Sequence, residues 1–83
     1  MIYLISDGKF IKIGKSVNPN RRLKQLQTGS NEKLSLLAIY DRPDYMEKRL
    51  HHLLRGFKSR LKSEWFYFPD QKQMLNLIDR IVK

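Results

Sequence analysis

The chain has 83 residues, with 17 Lys and Arg against 8 Asp and Glu for a formal net charge of +9, and no cysteine. Disulfides and thiolate metal sites are therefore excluded, no apolar run approaches the roughly 20 residues that span a bilayer, and no signal-peptide pattern opens the sequence. Such a basic excess points to a polyanionic partner, nucleic acid before a membrane surface, because no long basic amphipathic helix stands out. The length predicts a single domain over residues 1–83, with a modest core that buries about 60–65% of the unfolded surface.

Ile2-Tyr3-Leu4-Ile5-Ser6 and Phe10-Ile11-Lys12-Ile13-Gly14-Lys15 alternate with period two and flank Asp7-Gly8, a strong two-residue hairpin signal. With Asp7 and Gly8 as the loop, counting outward sets Ser6 opposite Lys9, Ile5 opposite Phe10, Leu4 opposite Ile11, Tyr3 opposite Lys12 and Ile2 opposite Ile13. One face is then Ile2, Leu4, Ile11 and Ile13, a core face. The other places the Tyr3 phenol beside the Lys12 ammonium, with Cβ atoms roughly 5 Å apart. A phenol beside a cation, leading into a basic helix, suits the handling of phosphate.

Asn18 and Pro19 start the first helix, as cap and first helical residue. The helix carries Arg21, Arg22 and Lys24, has a thin apolar side of Leu23 and Leu26, and stops at Gly29. Leu34 to Tyr40 reads as a third strand, broken by Asp41-Arg42-Pro43. Asp44 and Glu47 have the spacing of a capping box, opening a helix with Met46, Leu50, Leu53 and Leu54 as its buried stripe and Gly56 as its end. Residues 57–63 read as basic and irregular, with Lys58, Arg60 and Lys62 recurring at period two. Glu64 to Phe68 is a short aromatic strand or extended segment, in which Trp65 and Phe66 complete the core. Asp70 caps a last helix whose apolar face is Met74, Leu77, Ile78 and Ile81. The expected fold is α+β: a small three-stranded antiparallel sheet, hairpin plus third strand, flanked by helices.

Ile2-Tyr3, Lys12-Ile13-Gly14-Lys15-Ser16, the helix Asn18 to Leu23 with Arg22, Glu47, His51 and Glu64-Trp65-Phe66 occur in an order that resembles the GIY-YIG nuclease superfamily, in its compact phage and bacterial branch. The resemblance covers residues 2–68. Lys12 stands where the second motif usually has tyrosine, and Leu26 stands where some members have a histidine.

The resemblance implies a metal-dependent endonuclease that hydrolyses phosphodiester bonds in DNA. Carried over by position, its catalytic residues are Tyr3, which helps activate water, Arg22 on the scissile phosphate and Glu47 as ligand of Mg2+ or Mn2+; Lys12, although it departs from the motif, is expected to share the acid–base chemistry with Tyr3, and His51 to support it. Physical chemistry supplies a case for each. A neighbouring cation makes a phenol a better base, and a guanidinium donates two parallel hydrogen bonds to a phosphate. His51 lies four residues after Glu47 on one helical face. Glu47 has a structural alternative as the fourth residue of the capping box. Lys15, Arg21, Lys24, Lys58, Arg60 and Lys62 are the expected backbone-binding cations. The expected partner is DNA, with RNA as the alternative, and no membrane. The expected state is a monomer or weak homodimer in the cytoplasm of a bacterial or phage-infected cell. The rival reading is a non-catalytic nucleic-acid-binding module on the same fold.

Overall fold

A computed structural model of the chain describes residues 1–60 and 64–83. The elements are β1 (Ile2–Ser6), β2 (Phe10–Lys15), α1 (Pro19–Thr28), β3 (Ser35–Tyr40), α2 (Tyr45–Leu53), a 3₁₀ turn at Arg55–Phe57, β4 (Trp65–Tyr67) and α3 (Gln71–Val82). The α+β class holds, but the sheet has four antiparallel strands, in the order β3-β1-β2-β4. The fourth is β4, whose Tyr67, Phe66 and Trp65 pair with Phe10, Ile11 and Lys12. The sequence offers Glu64 to Phe68 as a strand or an extended segment, and pairing with β2 makes three of these residues a strand of the sheet. Lys58 adds an isolated antiparallel bridge to Phe66, and the Ser59 amide donates to the Trp65 carbonyl at 2.8 Å.

The hairpin forms with a different register. Tyr3 pairs with Gly14, Leu4 with Ile13, Ile5 with Lys12 and Ser6 with Ile11. The cause is Asp7. Its Oδ1 accepts from the amides of Lys9 at 2.9 Å and Phe10 at 2.7 Å, so Asp7 is the residue before the turn and Gly8-Lys9 form its tip. Gly8 has φ +98, the left-handed conformation that glycine adopts without a Cβ clash. The slip of two residues keeps every side chain on its expected face, because the pleat also has period two. It does change the neighbours: Tyr3 and Lys12 are diagonal rather than opposite.

Helices cover both faces of the sheet. Ile2, Leu4, Ile11 and Ile13 pack against Met46, Leu50 and Leu54, against Phe66 and Phe68, and against Ile78 and Val82 of α3. On the other face Tyr3, Ile5 and Leu34 pack against Leu23 and Leu26 of α1, with Leu36 and Trp65. Both expected caps at Asn18 and Asp70 form, accepting from the amides of Arg21 and Gln73. The Asp44 capping box does not. Asp44 already has helical backbone angles and makes no side-chain cap bond, whereas a capping side chain needs an extended backbone at that position. The α2 helix ends before Gly56, which falls in the 3₁₀ turn. In α3, Leu77 is exposed and Val82 takes its expected place in the core. Among the described residues no helix is long and apolar enough to cross a membrane.

Candidate active site

Tyr3 stands in the middle strand of the face covered by α1. It is 2% exposed, and its ring lies over Gly14, its cross-strand partner. Its hydroxyl has no hydrogen-bond partner among the described residues, yet it is not among the polar atoms sealed from solvent. A phenol held in a fixed place with an unpaired hydroxyl is able to bond to a ligand.

Lys12 shares that face and is almost fully buried. Its ammonium does not pair with Tyr3; Nζ donates to Glu64 Oε2 at 2.8 Å and lies 5.8 Å from the centre of the Trp65 ring. Strict alternation along β4 would put Glu64 on the opposite face from Trp65 and Lys12. Glu64 instead has φ 68, a conformation uncommon outside glycine. That kink brings its carboxylate onto the Lys12 side. The hydrogen bond from Lys12 does most to hold the Glu64 carboxyl below its usual pKa; partial burial opposes this, and the charges of Lys12, His51 and Arg22 lower it further. Lys12 is thus the direct partner of this carboxylate, and Arg22 of α1 and His51 of α2 act on it only from a distance.

His51 reaches this edge of the sheet from α2. The last β2–β4 pair is Lys12 with Trp65, and the next β2 carbonyl, that of Ile13, lies 2.7 Å from His51 Nε2. Nε2 therefore donates, which leaves Nδ1 as the acceptor of the neutral ring. Phe66 packs edge-on against the imidazole at 5.0 Å between centres. Arg22 is half-buried on α1, its Nη1 only 3.4 Å from Gln25 Oε1 of the same helix, a long bond that leaves most of its donors available. Glu47 is half-buried one turn before His51. With the capping box unformed, its carboxylate has no hydrogen bond or ion pair among the described residues.

The expected backbone-binding cations divide. Lys15, Arg21 and Lys24 are exposed at the end of β2 and along α1. Lys58 and Arg60 are exposed beside β4. Lys62 lies outside the described residues. Sequence reasoning did not place Glu64 and Trp65 in the site. No local signal marks them there, because their contacts to Lys12 join residues 52 and 53 apart.

The model of the T5orf172 domain matches residues 1–82, so the chain belongs to the T5orf172 domain family. This corrects the resemblance drawn from the sequence motifs: the family is a distinct one, not GIY-YIG. The motifs involved are single residues or runs of at most six, too short for any one of them to identify a family. Residue roles carried over with that resemblance lose its support and stand on geometry alone. The T5orf172 domain is nuclease-like and DNA-binding, which ties the chain to nucleic acid. No curated protein and no solved structure matches the chain significantly.

Proposed function

We infer that this T5orf172 domain is a metal-dependent endonuclease that hydrolyses phosphodiester bonds in DNA. The observation that carries the reading is the buried Lys12 ammonium, diagonal to Tyr3 across the β1–β2 ladder and already holding a carboxylate at 2.8 Å. A buried ammonium that holds an anion, with the Arg22 guanidinium available on the helix covering the same face, suits a phosphate in transit through a charged transition state. The net charge of +9 supplies the long-range attraction.

In this reading Arg22 and Lys12 bind the non-bridging oxygens of the scissile phosphate. The Tyr3 hydroxyl orients the attacking water by accepting a hydrogen bond from it; as the water attacks, its proton passes to the Tyr3 oxygen while that oxygen's own proton leaves to solvent. His51, fixed by the Ile13 carbonyl, keeps Nδ1 as a proton acceptor. Lys15, Arg21 and Lys24 follow the nucleic-acid backbone along α1.

Glu47 fits a divalent cation, being a carboxylate with no other partner among the described residues. Those residues hold no cluster of three His, Cys, Asp or Glu. A lone hard-oxygen donor suits Mg2+ or Mn2+, which keeps several waters and completes its shell with substrate phosphate. Bound there, the ion would supply stabilisation of the charge that develops on the phosphate oxygens. The same thin donor set favours a second reading, a DNA-binding module without catalysis.

Incubation of supercoiled plasmid with the protein in Mg2+, in Mn2+ or in chelator, beside Tyr3→Phe and Glu47→Gln, tests the two. Metal-dependent nicking lost in both variants supports the endonuclease. Salt-sensitive binding without nicking by all three proteins supports the binding module.

A further inference from the structure

We propose that Glu64 is an internal stand-in for a substrate phosphate: its carboxylate holds the buried Lys12 ammonium, and nucleic acid binds by displacing it. The proposal rests on the nucleic-acid reading above and adds a device that this reading does not need.

Geometry supports the exchange. The Lys12 side chain is 7% exposed and that of Glu64 is 53% exposed, so the pair opens from the carboxylate side. A buried ammonium left without a partner is costly. Glu64 supplies that partner until a phosphate arrives with the same single negative charge and a similar pair of oxygens. An ion pair with one partner in solvent is weak, so exchange is not obstructed. The backbone agrees. Glu64 holds a left-handed φ of 68 that directs its side chain toward Lys12, and once displaced it is free to return to the extended backbone that its neighbours in β4 adopt. The contact also keeps the site shut to small anions that lack further contacts. An extended nucleic acid, held in addition by Lys15, Arg21 and Lys24, overcomes the competition.

The test is equilibrium binding of a short DNA duplex in chelator, followed by fluorescence anisotropy across a salt series. The proteins are the wild type, Glu64→Gln, Lys12→Gln, the double variant, and Glu32→Gln as a control that removes an exposed acid without touching Lys12. Glu64→Gln should bind about two- to fivefold tighter than wild type at each salt concentration, because no carboxylate has to leave Lys12 first. Glu32→Gln should show a smaller gain, and the Glu64→Gln gain should vanish without Lys12. An equal gain from Glu32→Gln, or a gain that survives in the double variant, overturns the proposal.

Titration with inorganic phosphate, followed by NMR of the Arg22 and His51 side chains, separates this idea from the nucleic-acid reading. Glu64→Gln should saturate at lower phosphate than wild type. If it does so while no protein binds DNA, the stand-in survives and the endonuclease reading falls. Equal saturation overturns the stand-in even if DNA is bound.

Discussion

The ring of Tyr3 lies across the backbone of Gly14, its partner in the β1–β2 ladder, so closely that a Cβ on Gly14 would collide with Cζ and Oη and stand 2.9 Å from Cε2. The glycine is required by what crosses over it, and the contact sets the height of the Tyr3 hydroxyl above the sheet. Gly14 thus belongs to the site without contributing a functional group.

Gly14→Ala should lower stability by about 1–3 kcal/mol through overpacking, a melting shift of roughly 4–8 °C per kcal/mol for a chain this size. Cleavage should fall further than stability does, because the ring must tilt away. Tyr3→Phe keeps the packing and removes only the hydroxyl. Plasmid nicking and thermal melting of the two variants side by side should show activity lost in both and stability lost mainly in Gly14→Ala.

Glu47→Gln should leave the melting temperature nearly unchanged, because the carboxylate has no partner among the described residues. Metal-dependent nicking should disappear, with DNA affinity kept or slightly raised. A large loss of stability would assign Glu47 to the fold instead.

His51 serves both the sheet and the site, and two substitutions separate the roles. His51→Phe leaves the Ile13 carbonyl without its donor and should cost about 1–3 kcal/mol in denaturant unfolding. His51→Gln still presents an N–H but offers no second ring nitrogen as a proton acceptor. It should keep most of the stability and lose nicking. Unchanged nicking would remove His51 from the proton chemistry.

Tyr40 titrates late. Burial above all, then the charge of Asp79 and a hydrogen bond to it, push its pKa up from 10.0 to about 12. A pKa raised by folding means that the stabilisation is fully present below pH 10 and is lost as the pH rises toward 12. An ultraviolet phenolate titration should show one tyrosine ionising near 12, and Tyr40→Phe should remove that step and cost about 0.5–1.5 kcal/mol.

Glu64 has the opposite sign. Its carboxyl is held below the ordinary glutamate pKa, first by the hydrogen bond from Lys12, so its contribution is present above that ordinary value and is lost as acid carries the pH down through the folded one. Solvent screens so exposed a partner, and the loss of global stability should be small. The local effect should be clear: NMR of the Lys12 ammonium should show the 2.8 Å bond breaking in acid, while Glu64→Gln shows no such transition.

Much of the scaffold was legible from local pattern. Alternation in β1 and β2 assigned every hairpin side chain to its face, and the faces survived a register error because the slip was even. Asn18, Pro19 and Asp70 announced their helices because capping is settled within three residues. Asp44 and Glu47 had the right spacing and still formed no box, since spacing does not specify the backbone angles of the cap. The site was half legible. Tyr3, Lys12, Arg22 and His51 were singled out as residue types at suggestive positions, but the family to which the motifs were assigned was wrong, and Lys12 was matched to Tyr3.

The sequence by itself determined a basic α+β chain with a two-faced hairpin and a cationic first helix, because charge, period and capping are local properties. Only the tertiary structure decided that Asp7 shifts the ladder, that Trp65–Tyr67 becomes a fourth strand, and that Lys12 meets Glu64 across 52 residues. Those outcomes depend on which surfaces are brought together when the core closes.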